Sequence, residues 1–309
     1  MGGYRKGIQE LNLMDDFLFS ELMLDKESAE DIARIIIERA TGLKVEKMVI
    51  EYQKVINGLD TDLHGIRMDM AVSEEIAIQE GNEVIIGERK TKSEKHQLIR
   101  LFDIEPNNGN KDQLAKRSRY CQALTDVKLL ETGADYSEMP ELWSIWILPF
   151  DPFGKNRMIY LVKNVVEGFE KITYNDGIRK VFLYTDGVFG GNEKLKNLLI
   201  YMKTSIRENA VDPELKKLHS SVEQVKKNKE IGVKYMRMQE VMRQMQRQSM
   251  EEGLREGLEK GLEKGLEKGE KRYSVLVSIL LKEKKYSELE RTSEDKEYRE
   301  ELYRKYQIE

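Results

Sequence analysis

A chain of 309 residues with 39% hydrophobic content has apolar material for one substantial core, so length alone bounds the answer at one or two domains. The formal charge of -4 excludes a protein that coats nucleic acid by bulk electrostatics, and any DNA contact must come from local patches. One cysteine, Cys121, rules out an internal disulfide framework, three histidines without paired cysteines rule out a zinc site of the usual spacing, and no apolar run approaches the roughly 20 residues that span a bilayer.

The opening Met1-Gly2-Gly3-Tyr4-Arg5-Lys6 lacks the apolar stretch of a signal peptide, so the expectation is a cytoplasmic protein with no membrane partner. After apolar positions at Leu11, Leu13, Met14, Phe17, Leu18 and Phe19, the stretch Ser28 to Ala40 reads as a helix with a Ser cap and a stop at Gly42. The period then changes. Val45 to Ile56 is rich in Val, Ile and Tyr, and Ile66 to Val72 alternates, with Ile66, Met68, Met70 and Val72 on one face and Arg67, Asp69 and Ala71 on the other. A hairpin around Asn57-Gly58 would join them. Ser73 to Glu83 is charged and patternless, and Val84-Ile85-Ile86 is a short apolar run before a basic stretch. Leu98 to Pro106 reads as a strand ended by the Asn107-Asn108-Gly109-Asn110 cluster.

Gln113 to Leu130 has a helical pattern that turns Leu114, Cys121, Leu124 and either Val127 or Leu129 inward. Leu142 to Phe150, Met158 to Val166 and Arg179 to Thr185 read as strands, and Glu193 to Thr204 as a helix. The expected architecture is an α/β layer arrangement with one mixed sheet. Residues 1–205 form the expected folded domain, and 206–309 a helical, charged tail. The tail carries glycines at 253, 257, 261, 265 and 269 in a four-residue repeat of the form Gly-Leu-Glu-Lys. Each glycine weakens a helix by about 1 kcal/mol relative to alanine. The leucine row drifts by about 40° per repeat, which disfavours a left-handed heptad zipper. Two readings stand: a flexible helical linker to the charged end, or a helix for homo-oligomer assembly or partner binding in which the glycines permit close approach.

Side chains two apart on a strand share a face, so Asp103, Glu105 and Asn107 lie together. If the strand with Asp69 runs alongside, two carboxylates converge as hard oxygen ligands for Mg2+ or Mn2+; otherwise these acids are the solvated face of a half-covered sheet. Lys116-Arg117-Ser118-Arg119-Tyr120 follows on the helix, either as a phosphate-contacting cluster or as an ordinary solvated face.

Four segments in this order resemble the PD-(D/E)XK family transposase group, which includes the Rpn recombination-promoting nucleases. They are Gly65-Ile66-Arg67-Met68-Asp69, Phe102-Asp103-Ile104-Glu105-Pro106-Asn107, Leu114-Ala115-Lys116-Arg117-Ser118-Arg119-Tyr120 and Phe150-Asp151-Pro152-Phe153-Gly154. The resemblance runs from about Met14 to beyond Asn197. It implies a restriction-endonuclease-like core that cleaves phosphodiesters with a divalent metal. Asp69 and Glu105 would then be metal ligands and Asn107 the third motif position, with Lys116 or Arg117 able to supply charge from the helix. Lys116, Arg117, Arg119 and Tyr120 would contact DNA, with RNA as an alternative target. The class carries Lys at the third position and this branch often Gln, so Asn107 leaves two outcomes open: a Mg2+-dependent endonuclease, or a weakened nuclease fold that serves as a DNA-binding or protein-interaction module. Glu88-Arg89-Lys90 is a rival Glu-x-Lys, ranked second because the Lys-Arg-x-Arg-Tyr context follows Glu105 instead.

Overall fold

A computed structural model describes residues 6–56, 65–79, 84–86, 89–91, 94–109, 111–130, 133–169 and 171–308, with backbone alone between 76 and 97. The chain divides into two compact units, Met1–Tyr235 and Met236–Glu309.

The first unit opens with α1 (Asp16–Met23) and α2 (Lys26–Thr41). Asp25, not Ser28, caps α2: its carboxylate accepts from Ser28 N at 2.9 Å and from Ser28 Oγ at 2.7 Å. An Asp three residues upstream satisfies the free N–H of the first turn as well as a Ser would, and Lys26 and Glu27 are good helix formers. Gly42 ends the helix at φ 75, a left-handed position suited to glycine.

Strands β1 (Met48–Ile56), β2 (Ile66–Gln79) and β5 (Glu94–Pro106) form an antiparallel run, and β5 continues in parallel with β6 (Glu141–Leu148) and β8 (Ile178–Tyr184). An antiparallel β7 (Ile159–Val162) completes a six-stranded mixed sheet of order β1-β2-β5-β6-β8-β7. The Asn57-Gly58 turn lies outside the described residues. Strand β2 runs past the alternating Ile66–Val72 core into the stretch expected to be patternless, because pairing with β5 continues to Gln79, with a register shift at Glu74/Glu75. Backbone pairing needs no apolar pattern. Strands β3 (Val84–Ile86) and β4 (Arg89–Thr91) make a separate two-stranded ladder.

Helices flank the sheet. On one face α3 (Leu114–Leu129) packs Leu124 with Ala71, Leu101 and Leu142, and Leu114 and Cys121 with Trp146 and Phe182. Leu129 joins this packing, whereas Val127 is exposed. The alternate residues Met70, Val72, Phe102, Ile104, Ile145, Ile147, Val181 and Leu183 are also fully buried, so both faces of the central strands are covered. Helices α4 (Glu193–Lys203) and α5 (Pro213–Lys227) pack with α1 and α2. Buried Arg39 of α2 ties to Asp212 at 2.9 Å and Glu214 at 2.6 Å, so α5, beyond the expected boundary at 205, packs with this unit.

The unit boundary falls inside α6 (Lys229–Lys282), and α7 (Tyr286–Glu294) and α8 (Lys296–Lys305) follow. Within the second unit Leu276 and Leu280 of α6 pack with Leu302 and Tyr303 of α8, with Leu289 of α7 against them. The five repeat glycines lie inside the continuous α6, and Leu254, Leu258, Leu262 and Leu266 beside them are exposed. Among the described residues no helix is long and apolar enough to cross a membrane.

Candidate metal centre

Strands β2 and β5 pair Met70 with Ile104 and Ala71 with Asp103, which sets Asp69 across from Glu105 at the next step of the ladder. The Asp69 N–H donates to Glu105 Oε1 at 3.1 Å. On the other side of β2, the ladder to β1 passes from Tyr52–Met70 to Lys54–Met68 and skips Gln53, whose φ is 50. The break falls beside Asp69.

Strand alternation places Asp103 with Glu105 on the face that meets α3. That face is not solvated, as one reading of the sequence had it: Asp103 is 2% and Glu105 3% exposed. The tryptophan, cysteine and leucines that α3 and β6 bring to this face close it off from water. Among the described residues Asp103 Oδ1 has no hydrogen-bond partner. Three carboxyl groups in so little water disfavour their own ionisation. Burial pushes Glu105 well above the ordinary carboxylate range, and the charges of Asp103 and Asp69 add to it. Burial and then Asp69 raise Asp103. Burial and then Asp16, the first residue of α1, raise Asp69, with Arg67 and Arg117 opposing.

Arg117, one turn into α3, approaches Glu105 Oε2 with Nη2 at 3.4 Å and lies over Trp146, its Cζ 5.1 Å from the ring centroid. The other members of the basic cluster do not join it. Lys116 stands about 100° around the helix from Arg117, and Lys116, Arg119 and Tyr120 occupy the exposed side of α3. The charge of Arg119 is felt at Lys180 of β8. Asn107 is buried, and its amide oxygen is engaged by the chain: Oδ1 accepts from Gly109 N at 2.6 Å, while the backbone N–H donates to Ile147 O at 2.8 Å. Asn108 Nδ2 reaches Met14 O at 2.5 Å, fixing the end of β5 to the start of the chain. Glu88 lies outside the described residues, and Arg89 and Lys90 belong to the separate β3–β4 ladder.

The fourth segment of the resemblance is a turn. Asp151 accepts from Phe153 N at 3.1 Å, Gly154 N at 2.9 Å, Asn156 N at 2.6 Å and Tyr160 Oη at 2.7 Å. Sequence reasoning missed Asp16 and Tyr52, whose phenol is raised mainly by burial, with Asp69 acting alongside. No spacing signal could have found them, because packing of α1 and β1 brings them there.

As a donor set, Asp69 and Glu105 offer hard oxygens from facing positions of adjacent strands, and among the described residues Asp103 Oδ1 is an unused acceptor on the same face. Among the described residues no three His, Cys, Asp or Glu side chains gather as a ready cage. Mg2+ ordinarily takes one or two carboxylates and completes its shell with water and substrate phosphate, so two adjacent carboxylates fit it. No family model matches the chain, and neither the curated proteins nor the solved structures contain a match.

Proposed function

We propose that the first unit is a restriction-endonuclease-like nuclease that hydrolyses DNA phosphodiesters with Mg2+ or Mn2+. The observation that carries this reading is half-buried Asp69 across the β2–β5 ladder from buried Glu105, whose carboxylate accepts the Asp69 N–H at 3.1 Å, with buried Asp103 two residues before Glu105 on the same strand face. Titratable groups perturbed this far by burial and by one another commonly mark function. Asp69 and Glu105 hold the ion, and the Asp69 N–H orients the Glu105 carboxylate. A bound divalent ion supplies Lewis acidity and a water of lowered pKa. Lys116, Arg119 and Tyr120 form the exposed contact to backbone phosphates and a base or sugar. Recombination or mobile-element work follows from the family resemblance.

The test is supercoiled plasmid incubated with the wild type, Asp69→Ala and Glu105→Gln across a Mg2+ and Mn2+ titration. Metal-dependent nicking that falls at least about a hundredfold in both variants supports the nuclease. Wild-type and variant proteins that behave alike refute it. One observation favours a second reading, a nuclease fold kept as an interaction module: Asn107 holds a turn where the class places a lysine. Metal-independent DNA binding or assembly without cleavage would select that reading.

A further inference from the structure

Two arginines of the first unit pair with acids in different ways. Arg39 is 3% exposed and grips Asp212 and Glu214 at 2.9 and 2.6 Å, the geometry of a permanent structural bridge. Arg117 is 49% exposed, and its one ion-pair contact among the described residues, to Glu105, is long at 3.4 Å. A contact of that length, half in water, is easily exchanged. Its position is nonetheless central. The charge of Arg117 acts on Asp69, Asp103 and Glu105 alike, whereas Arg67 acts on Asp69. The guanidinium also rests on the Trp146 ring, which would keep it beside the site after it left Glu105.

We propose that Arg117 is a displaceable counter-cation: together with bound protons it balances the charge of the acids while the site lacks a divalent ion, and it yields Glu105 when the ion binds. The released guanidinium, still stacked on Trp146, then has free N–H donors for a non-bridging oxygen of the phosphodiester. This rests on the metal-site reading above and gives Arg117 a part distinct from that of Lys116, Arg119 and Tyr120. A cation and a guanidinium cannot both be favoured on one carboxylate oxygen. Arg117 therefore opposes the ion's binding until an anionic substrate draws it away. A unit charge that shares a carboxylate with the ion, discounted for its half-exposed side chain, weakens ion binding by roughly three- to tenfold.

Mn2+ binding to the full chain without DNA, followed by the loss of the free-ion electron paramagnetic resonance signal, tests this directly. Arg117→Gln should bind Mn2+ roughly three- to tenfold more tightly than the wild type, and Arg117→Lys, which keeps the charge, should stay within about twofold of it. Asp69→Asn should abolish binding in either background. Unchanged or weaker binding by Arg117→Gln, with the wild type binding normally, overturns the counter-cation and leaves the metal site standing. Absence of Mn2+ binding in the wild type and Arg117→Gln together overturns both. A matching far-UV circular dichroism spectrum and the behaviour of Arg117→Lys separate a charge effect from a folding defect.

Discussion

The folded state takes up more protons at Asp69, Asp103 and Glu105 than the unfolded chain does, because burial raises all three. Stability therefore falls as pH rises through the interval between ordinary carboxylate values and the raised ones, the upper limit being about 9 at Glu105. In metal-free buffer the melting temperature should decline steadily from about pH 5 to about pH 9, and Glu105→Gln should flatten the upper half of that curve. A flat wild-type profile would contradict the burial of these acids. Divalent ions should raise the melting temperature most at the alkaline end, since ligands must lose their protons to coordinate. Period-2 alternation made legible which face of its own strand carries Asp69 and which carries Glu105, but that the two strands are neighbours, with Asp69 across from Glu105, came only with the β2–β5 register. The choice of Arg117 over Lys116 was not, because adjacent helical residues differ by about 100° and only the docking of α3 fixes which one faces the sheet.

At the scale of elements, apolar periodicity located the central strands and α3, α4 and α2, and set the ends of α3, α4 and β8 within a residue, but it missed the limit of β2. Strand β2 outruns its apolar pattern because the partner β5 supplies hydrogen bonds to charged residues as readily as to apolar ones, and buried Glu74 meets Arg100 at 2.7 Å across that ladder. The Asp-Pro-Phe-Gly turn carries a different lesson: its acid lies with the motif residues in sequence, yet its carboxylate closes a loop of backbone donors. Asp151→Ala should lower stability by about 2 kcal/mol, read by urea unfolding, while leaving any Mn2+ binding intact. Loss of metal binding at full stability would instead place Asp151 in the site. Gly187 is packed against the backbone, where an added Cβ would lie 2.5 Å from Arg157 C and Met158 Cα. Gly187→Ala should destabilise by about 2–3 kcal/mol in the same assay, and a neutral effect would mean that the close approach of these segments is absent in solution.

For the molecule as a whole, two units share the continuous helix α6, and the glycine repeat lies on the second unit's side of their boundary. An added Cβ at Gly257 or Gly261 would meet nothing within 4 Å. Gly257→Ala and Gly261→Ala should therefore stabilise the helix by about 1 kcal/mol each, slowing amide hydrogen exchange across the repeat, and unchanged exchange would contradict a helix there. Surface ion pairs such as Glu256–Lys260 at 3.2 Å and Glu267–Lys271 at 2.6 Å offset only part of the glycine penalty. The first unit also carries its own reporter. Cys121 is the chain's one thiol, and it is buried on α3 against Trp146 and Phe182, with burial and then the Asp103 and Glu105 charges pushing it up to about 11. Thiolate is the reactive form, so alkylation at neutral pH is doubly suppressed in the closed protein. Any modification that does occur registers a single event, the lifting of α3 from the sheet. The rate at which a thiol reagent consumes this one sulfur is thus a clock for how often the carboxylates beneath it meet water.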